Sequence, residues 1–591
     1  MAAIIRSRPI RQFRQIFQDP VLAVALIAVS LFVFIAVILP ILAMVSTGFS
    51  AEGLPLFQNY LQNPIYQTII TNTVVLGLTV GIIGTGLGFL FAYVQVKVKA
   101  PFKRFMHLIA LVPIISPPFA LASAAILTFG RNGMITKGIF GVRCFWGQGR
   151  SCNDIYGLDG LTMVLALSLF TVAYLNLKGM MLALDPAMEE AATNLGASKW
   201  RTFRTVTIPM LLPGILSSFL LLFVEAIADL GNPLVLGGNF EVLATRIYVT
   251  IIGLYDTNAA AVLSVVLLVP SLTVFIIQRY WVNRQSVVSV TGKPTGTPQQ
   301  ITHPLVRWPL VALVLAICLL IIILYATIFV GSFVKVLGVN NEFTIDHFDF
   351  VINGYGSEAM TDTTLLSIIS TPLAGILGMI IAFLVVRKAF LGRGLLDFST
   401  MLGIAVPGTI LGIGYLLVFN NDIQLVLPFG GENAPVITLI PKLTGGRAIF
   451  GGAMAIVIVY MVRSIPAALR SGVAALSQID PAIEEASISL GADNALTFRK
   501  ITLPLIRPAF LSGLIYAFAR SMTTISAIVF LTTPQTKIMT AQILNEVENG
   551  RFGNAFAYCV ILILIVLVAI GILYLTVGST TGAERTLEGG A

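Results

Sequence analysis

The sequence predicts an all-α polytopic membrane protein of about twelve transmembrane helices, built as two parallel six-helix repeats. Composition is the first observation behind this. Of 591 residues, 57% are hydrophobic and 11% charged, and the mean hydropathy is +0.93; soluble domains carry about 25% charged residues. Run length is the second. Crossing the hydrocarbon layer takes about 20 apolar residues per helix. Twelve runs qualify, near 21–47, 68–94, 105–130, 160–184, 210–233, 259–280, 309–332, 363–387, 398–420, 451–475, 506–532 and 555–577. Barrel strands would be about ten residues long with alternating hydrophobicity, and these runs are longer and uniformly apolar. The third observation is duplication: residues 185–213 and 480–508 align without a gap, 295 positions apart, and share 15 of 29 residues.

In chain order, residues 1–20 form a basic segment with Arg6, Arg8, Arg11 and Arg14. The first run is too long for a signal-peptide core and lacks a small-residue cleavage site, so it reads as a retained span. Lys97, Lys99, Lys103 and Arg104 fill the next loop on the same side. Lys199, Arg201, Arg204, Arg284, Lys293, Arg307, Arg387, Lys388, Arg393, Arg499 and Lys500 follow on that side. Cytoplasmic loops carry the excess of Lys and Arg, so both termini and both duplicated segments are expected in the cytoplasm. The net charge of +9 thus reports orientation in a lipid bilayer, and no nucleic-acid partner is expected. On the opposite side, Cys144 and Cys152 share the loop RCFWGQGRSC. An oxidising compartment there permits a disulfide; two free thiols are the alternative. Cys318 and Cys559 lie in apolar runs and read as packing residues.

Residues 281–308 have linker composition, rich in Gly, Pro, Thr, Ser and Gln without apolar periodicity. They divide the chain into one six-span region at 21–280, a second at 309–577, and a tail at 578–591. The halves are similar beyond the duplicated segment: residues 72–93 resemble 362–383, with Gly88 matching Gly378 and Ala92 matching Ala382. Pro113 in LVPIISPP is paired with Pro407 in AVPGTI. An even number of spans per half gives both the same orientation, with a pseudo-two-fold axis along the membrane normal.

Each duplicated segment opens with a helix signal. Asp185 and Asp480 are good N-cap residues, and Pro186 and Pro481 suit the first helical position. Glu189–Glu190 and Glu484–Glu485 fall in or just after the first turn, where the helix dipole favours negative charge. Gly196 and Gly491 permit a sharp turn, and a basic amphipathic piece then leads to Pro209 or Pro504 at the start of the next span. The pattern predicts a short helix parallel to the membrane, joined firmly to a spanning helix. A pair of ordinary amphipathic helices left by gene duplication is the plain alternative.

The pattern resembles the EAA loop of ATP-binding-cassette importer permeases: Glu-Ala-Ala, three residues, Gly, nine residues, then hydrophobic-x-hydrophobic-Pro. The first copy is Glu190-Ala191-Ala192, Gly196 and Val206-x-Ile208-Pro209; the second is Glu485-Ala486-Ser487, Gly491 and Ile501-x-Leu503-Pro504. Serine replaces the second alanine, and both are small. The resemblance covers nearly the whole chain and is strongest to fused two-domain ferric iron permeases, through FVEAIADLGNPLVLGG (223–238) and FARSMTTISAIVFLTTP (518–534). It implies a type I importer permease fold in a bacterial inner membrane. It also implies that Glu189, Glu190, Ala191, Gly196, Pro209, Glu484, Glu485, Ala486, Gly491 and Pro504 couple the chain to two copies of a cytoplasmic ATPase. A separate periplasmic binding protein would deliver cargo, with ferric iron expected. No G-x-x-x-x-G-K-[ST] phosphate loop occurs in the sequence. The chain is therefore expected to be a non-catalytic subunit without a cofactor of its own, ATP and Mg being used by the partner ATPase.

Glu225 and Asp229 are spaced one helical turn apart within the fifth run. Carboxylates within a span are costly and face a polar interior or a partner, and carboxylate oxygen suits a hard cation. Either they line the translocation path, or one or both pair with Arg520 at the matching depth of the other half. No tight metal site is expected, because cargo must leave. His107, His303 and His347 are scattered, with no metal-ligand spacing. Asp346, Asp349, Glu358, Glu546 and Glu548 on the outer side either contact a binding protein or form a solvated face. Two rival functions remain at this stage. One is the same machine with another cargo, namely phosphonate, thiamine, polyamine or sulfate. The other is an ion-driven secondary transporter with twelve helices.

Overall fold

A computed structural model describes residues 20–117, 119–131, 133–139, 155–280, 300–388, 390–426 and 436–575. Cys144, Cys152, the basic N-terminal segment, most of the linker and the tail lie outside the described residues. Among the described residues, nine helices are long and apolar enough to cross a membrane, and twelve spans result if each of three bent pairs counts once. Outside the spans, the described residues form two short antiparallel hairpins, Val334–Val336 with Asn340–Phe343 and Ile423–Val426 with Val436–Ile440.

The bent pairs depart from the continuous runs read in the sequence. Lys103–Ile115 and Ala120–Thr136 meet at 111°, Arg393–Ala405 and Gly408–Phe419 at 107°, and Phe498–Leu505 and Arg507–Thr523 at 67°. Proline explains the first two. Ser116 precedes Pro117 with ψ 153°, and Val406 precedes Pro407 with ψ 129°; a residue before proline is pushed out of the helical region, and the proline has no N–H to offer. Pro117 is therefore the partner of Pro407, at the same 290-residue offset that relates Gly88 to Gly378. The pairing of Pro113 with Pro407 is corrected: Pro113 sits inside Lys103–Ile115.

The first bent pair crosses the membrane once. Lys97, at the end of Pro64–Lys97, bonds to Glu189, just beyond Leu158–Ala183. At the other ends of these helices, Asn72 bonds to Glu241 O and Gly157 to Leu236 O. The chain between Lys97 and Leu158 must then traverse to the far side.

The chain forms two compact units that are not the two halves of the sequence. One comprises Gly48–Gly354 and Ile543–Val560; the other comprises Met1–Thr47, Tyr355–Gln542 and Ile561–Ala591. The first span, Pro20–Gly48, thus packs with helices of the second half: Tyr415 donates its hydroxyl to Ala36 O at 2.8 Å. The seventh, Pro304–Gly331, packs with helices of the first half. Tyr325 pairs with Ser116 at 2.5 Å, and Thr327 with Thr128 at 3.0 Å.

Each unit centres on three tightly packed helices. In one, Pro64–Lys97 packs on Leu158–Ala183 and Ile208–Ile227; in the other, Ser357–Arg387 packs on Ala453–Gln478 and Arg507–Thr523. Small residues make the approach possible, as membrane helices require. A Cβ on Gly88 would lie 2.6 Å from Ala173 Cβ, and one on Gly378 would lie 2.5 Å from Ala468 Cβ. Gly88→Val or Gly378→Val is expected to cost about 1–3 kcal/mol through overpacking. Thermal melting in detergent will show this as a lowered midpoint.

Among the described residues, three other than glycine have positive φ: Phe102 (56°), Tyr255 (57°) and Phe450 (51°). All three are exposed, and the left-handed conformation costs such residues roughly 1–2 kcal/mol.

Candidate coupling site

In the first duplicated segment, Asp185 accepts from the Ala187 N–H at 3.0 Å and so caps the helix Pro186–Asn194. Gly196 turns the chain at φ 85°, and Ser198 caps a second short helix, Lys199–Thr202. A π-type turn over Phe203–Thr207 runs into Ile208–Ile227, with Pro209 in its first turn. The second segment repeats each step. Asp480 caps Pro481–Ser489 through Ala482 N at 3.0 Å, and Gly491 turns at φ 93°. Phe498–Thr502 forms the π-type turn, and Pro504 follows in Leu503–Leu505. The copies differ at the next step: Ile208–Ile227 is continuous, whereas the second copy breaks at Ile506.

The two adjacent glutamates of each segment have different positions. Glu189 and Glu484 point inward. Lys97 Nζ donates to Glu189 Oε2 at 2.6 Å, and Thr207 Oγ1 donates to Glu189 Oε1 at 2.9 Å. In the other unit Arg387 Nε donates to Glu484 Oε1 at 3.2 Å, and Thr502 Oγ1 to the same oxygen at 3.0 Å. Arg387 Nη2 also holds Ile479 O, just before the cap. These side chains are 7–17% exposed, so each carboxylate sits between a cation and a hydroxyl with little water around it. The arrangement ties the short helix to the end of the second or eighth span and to the start of the fifth or eleventh. Charge-assisted bonds of this kind are the stronger class.

Glu190 and Glu485, by contrast, are exposed, as are Ala191 and Ala486. Around them stand exposed apolar side chains: Met188 and Ile483 at corresponding positions, and Leu195 and Leu490, each 89% exposed. Leu195 and Leu490 immediately precede the turning glycines. Each segment thus has a fixed inner edge and an open outer edge of mixed charge and apolar surface.

The carboxylates of the fifth span are arranged differently from the sequence reading. The helix ends at Ile227, so Glu225 occupies its last turn and Asp229 lies beyond it. Asp229 Oδ2 accepts from Asn232 N at 3.0 Å and from Asn232 Nδ2 at 2.9 Å, in the first turn of Gly231–Leu236. They are therefore not stacked on one helix. Arg520 occupies the last turn of Arg507–Thr523, at the same 295-residue offset from Glu225 that relates the two duplicated segments. Equivalent positions thus carry opposite charge.

On the side away from the duplicated segments, Gly48–Gly354 holds a cavity of about 610 Å³ lined by Asn72, Arg131, Tyr156, Asn239 and Phe240. Nearby, Tyr60 stacks on Tyr66, with ring centroids 4.1 Å apart, and Arg246 bonds to Tyr66 and Glu241. Burial, with Tyr66 and Asp256 adding to it, pushes the Tyr60 phenol up to about 12. Glu546, read as an outer carboxylate, is buried; it holds Arg551 at 2.8 Å and Asn554 at 3.0 Å. Glu358 pairs with Lys537 at 2.6 Å.

In the sequence Lys97 and Arg387 count only towards sidedness, and neither they nor Thr207 and Thr502 stand out as coupling residues. Thr207 and Thr502 are an identity within the duplicated segment, and Lys97 and Arg387 share the 290-residue offset of the second and eighth spans. A cation at the same place in both halves was the available signal.

Two stretches, residues 84–287 and 374–578, each match the family model of the binding-protein-dependent transport system inner membrane component. Each contains one duplicated segment. The chain belongs to this family. As a transport system inner membrane component it is a multi-pass membrane permease that works with a binding protein. It is 33% identical over 568 residues to the ferric transport system permease protein FbpB of Actinobacillus pleuropneumoniae, covering 94% of this chain and 78% of that one. A putative ferric transport system permease protein, FbpB 1 of Haemophilus influenzae, is 33% identical over 532 residues, 88% of this chain and 79% of that one. A probable sulfate transport system permease protein, cysT of a Helicosporidium species, is 26% identical over 242 residues, 40% of this chain and 86% of that one.

Proposed function

We propose that this permease imports ferric iron, taking it from one periplasmic binding protein and releasing it to the cytoplasm. Two copies of a cytoplasmic ATPase would grip the segments at 185–213 and 480–508 and use ATP and Mg to drive the cycle. The observation that carries this reading is the repeated architecture of the segments. Both hold an inner glutamate between a cation and a threonine, and both leave the next glutamate and two apolar side chains open to a partner. A two-fold motor needs two such grips on one chain. Closure of the motor moves the short helices, and the inner glutamates pass the displacement to the spans they are tied to. Glu225, Asp229 and Arg520 line or brace the path between the states. Ferric iron as cargo is supported by two relatives, each of which matches most of this chain and is named as a ferric transport permease. Sulfate, named for the more distant probable sulfate permease, is the competing cargo in the test.

The test is reconstitution in liposomes with the ATPase and binding protein that co-purify in mild detergent. Accumulation of radioactive ferric iron that requires external binding protein and internal ATP is the expected result. Iron excluded while sulfate is taken up would move the cargo assignment. Uptake at full rate without any ATPase would remove the coupling role.

A further inference from the structure

We propose that Phe102, the basic residues Lys99 and Arg104, and the apolar stripe of Phe105 and Leu108 form an anchoring site for anionic phospholipid. The site lies on the membrane face that carries the duplicated segments. Phe102 precedes the helix Lys103–Ile115 with φ 56° and makes no side-chain capping bond. It is 71% exposed, so packing within the protein does not explain it. The corresponding residue in the second half is Gly392, with φ 92°, immediately before Arg393–Ala405. Glycine makes this turn without strain. The first half holds the same turn with an aromatic residue that strains it and gains no buried contact in return. Such strain persists where the side chain has another use.

The surroundings specify the use. Phe105 and Leu108 are 43% and 63% exposed and follow Phe102 at three-residue intervals, giving one apolar line that descends the third span. An aqueous subunit cannot follow that line into the membrane, but an acyl chain can. Lys99 and Arg104, three residues before and two after Phe102, are exposed, and their stems can lie on apolar surface while the charges reach the headgroups. Lys97 bonds to Glu189, which fixes this loop on the face of the duplicated segments. The cytoplasmic leaflet carries anionic lipid that attracts juxtamembrane Lys and Arg; this choice of leaflet rests on the sidedness proposed above.

The experiment uses the full chain in nanodiscs of phosphatidylcholine, with and without phosphatidylglycerol, and native mass spectrometry to count bound phosphatidylglycerol. Without anionic lipid, Phe102→Gly is expected to melt above the natural protein, because the strain is gone. On adding phosphatidylglycerol the natural protein gains stability and the variant gains less. Lys99→Gln and Arg104→Gln each weaken phosphatidylglycerol binding about fivefold, from roughly 1 kcal/mol per charge. Phe102→Trp restores the lipid response. An equal gain for Phe102→Gly and the natural protein would overturn the proposal. So would unchanged lipid binding with loss of a co-purifying ATPase, which would assign the surface to that subunit. Nanodiscs expose both leaflets to the same lipid, so failure here leaves the coupling function standing.

Discussion

Replacing Glu189 and Glu484 together with glutamine is expected to reduce ATP-driven uptake to background while the chain still inserts. Each carboxylate neutralises a cation that is itself 7% or 10% exposed. Removing one partner of a buried pair leaves the other uncompensated, at a cost of about 3–5 kcal/mol. That cost falls on a short helix. Pro186–Asn194 and Pro481–Ser489 have nine residues each, below the length at which an isolated helix persists in water. Their orientation depends on the inner glutamate. Glutamine keeps the shape and can still accept from Thr207 or Thr502, so the loss isolates the charge. The single variants should retain one working grip and intermediate uptake. Reversing the pair, Glu189→Lys with Lys97→Glu, should recover part of the loss, since the attraction survives with its direction exchanged. Uptake and ATP hydrolysis need to be read together: hydrolysis without transport is the mark of a slipping grip. Unchanged uptake in the double glutamine variant would show that the inner ties carry no force.

Much of this arrangement is legible from residues alone, and the part that is not has a physical reason. Asp185, Pro186 and Gly196 specify cap, first turn and exit in the local sequence, and the structure shows each in place, twice. The close approach at Gly88 and Gly378 is visible as a small residue in a long apolar run. The ties to Lys97 and Arg387 are not, because they join residues 92 and 97 positions apart. Hydropathy sees a broken span as one run, so the bends at Pro117, Pro407 and Ile506 vanish in it. It also cannot show that the first span packs with the second half, since an apolar helix fits many partners. Asp229 is instructive: its spacing from Glu225 fits one helical face, but the helix ends between them and the carboxylate holds Asn232 in the next.

Changing Gly196 and Gly491 together to valine is expected to abolish uptake, with insertion and the spanning helices intact. At both glycines an added Cβ would meet nothing within 4 Å, yet φ is 85° and 93°. The penalty is therefore conformational rather than steric contact with neighbours. It is roughly 1–2 kcal/mol for an ordinary residue in the left-handed region, and valine, branched at Cβ, is a genuine outlier there. The loop escapes the strain by abandoning the turn. That moves Leu195 and Leu490 and the exposed Glu190 and Glu485 away from where a docked subunit would meet them. Asparagine tolerates the left-handed region better, so Gly196→Asn with Gly491→Asn should keep most of the uptake. This comparison separates a requirement for the turn from a requirement for empty space. If asparagine failed as completely as valine, the missing side chain would be what the partner needs. If valine worked as well as glycine, the turn would have no part in coupling.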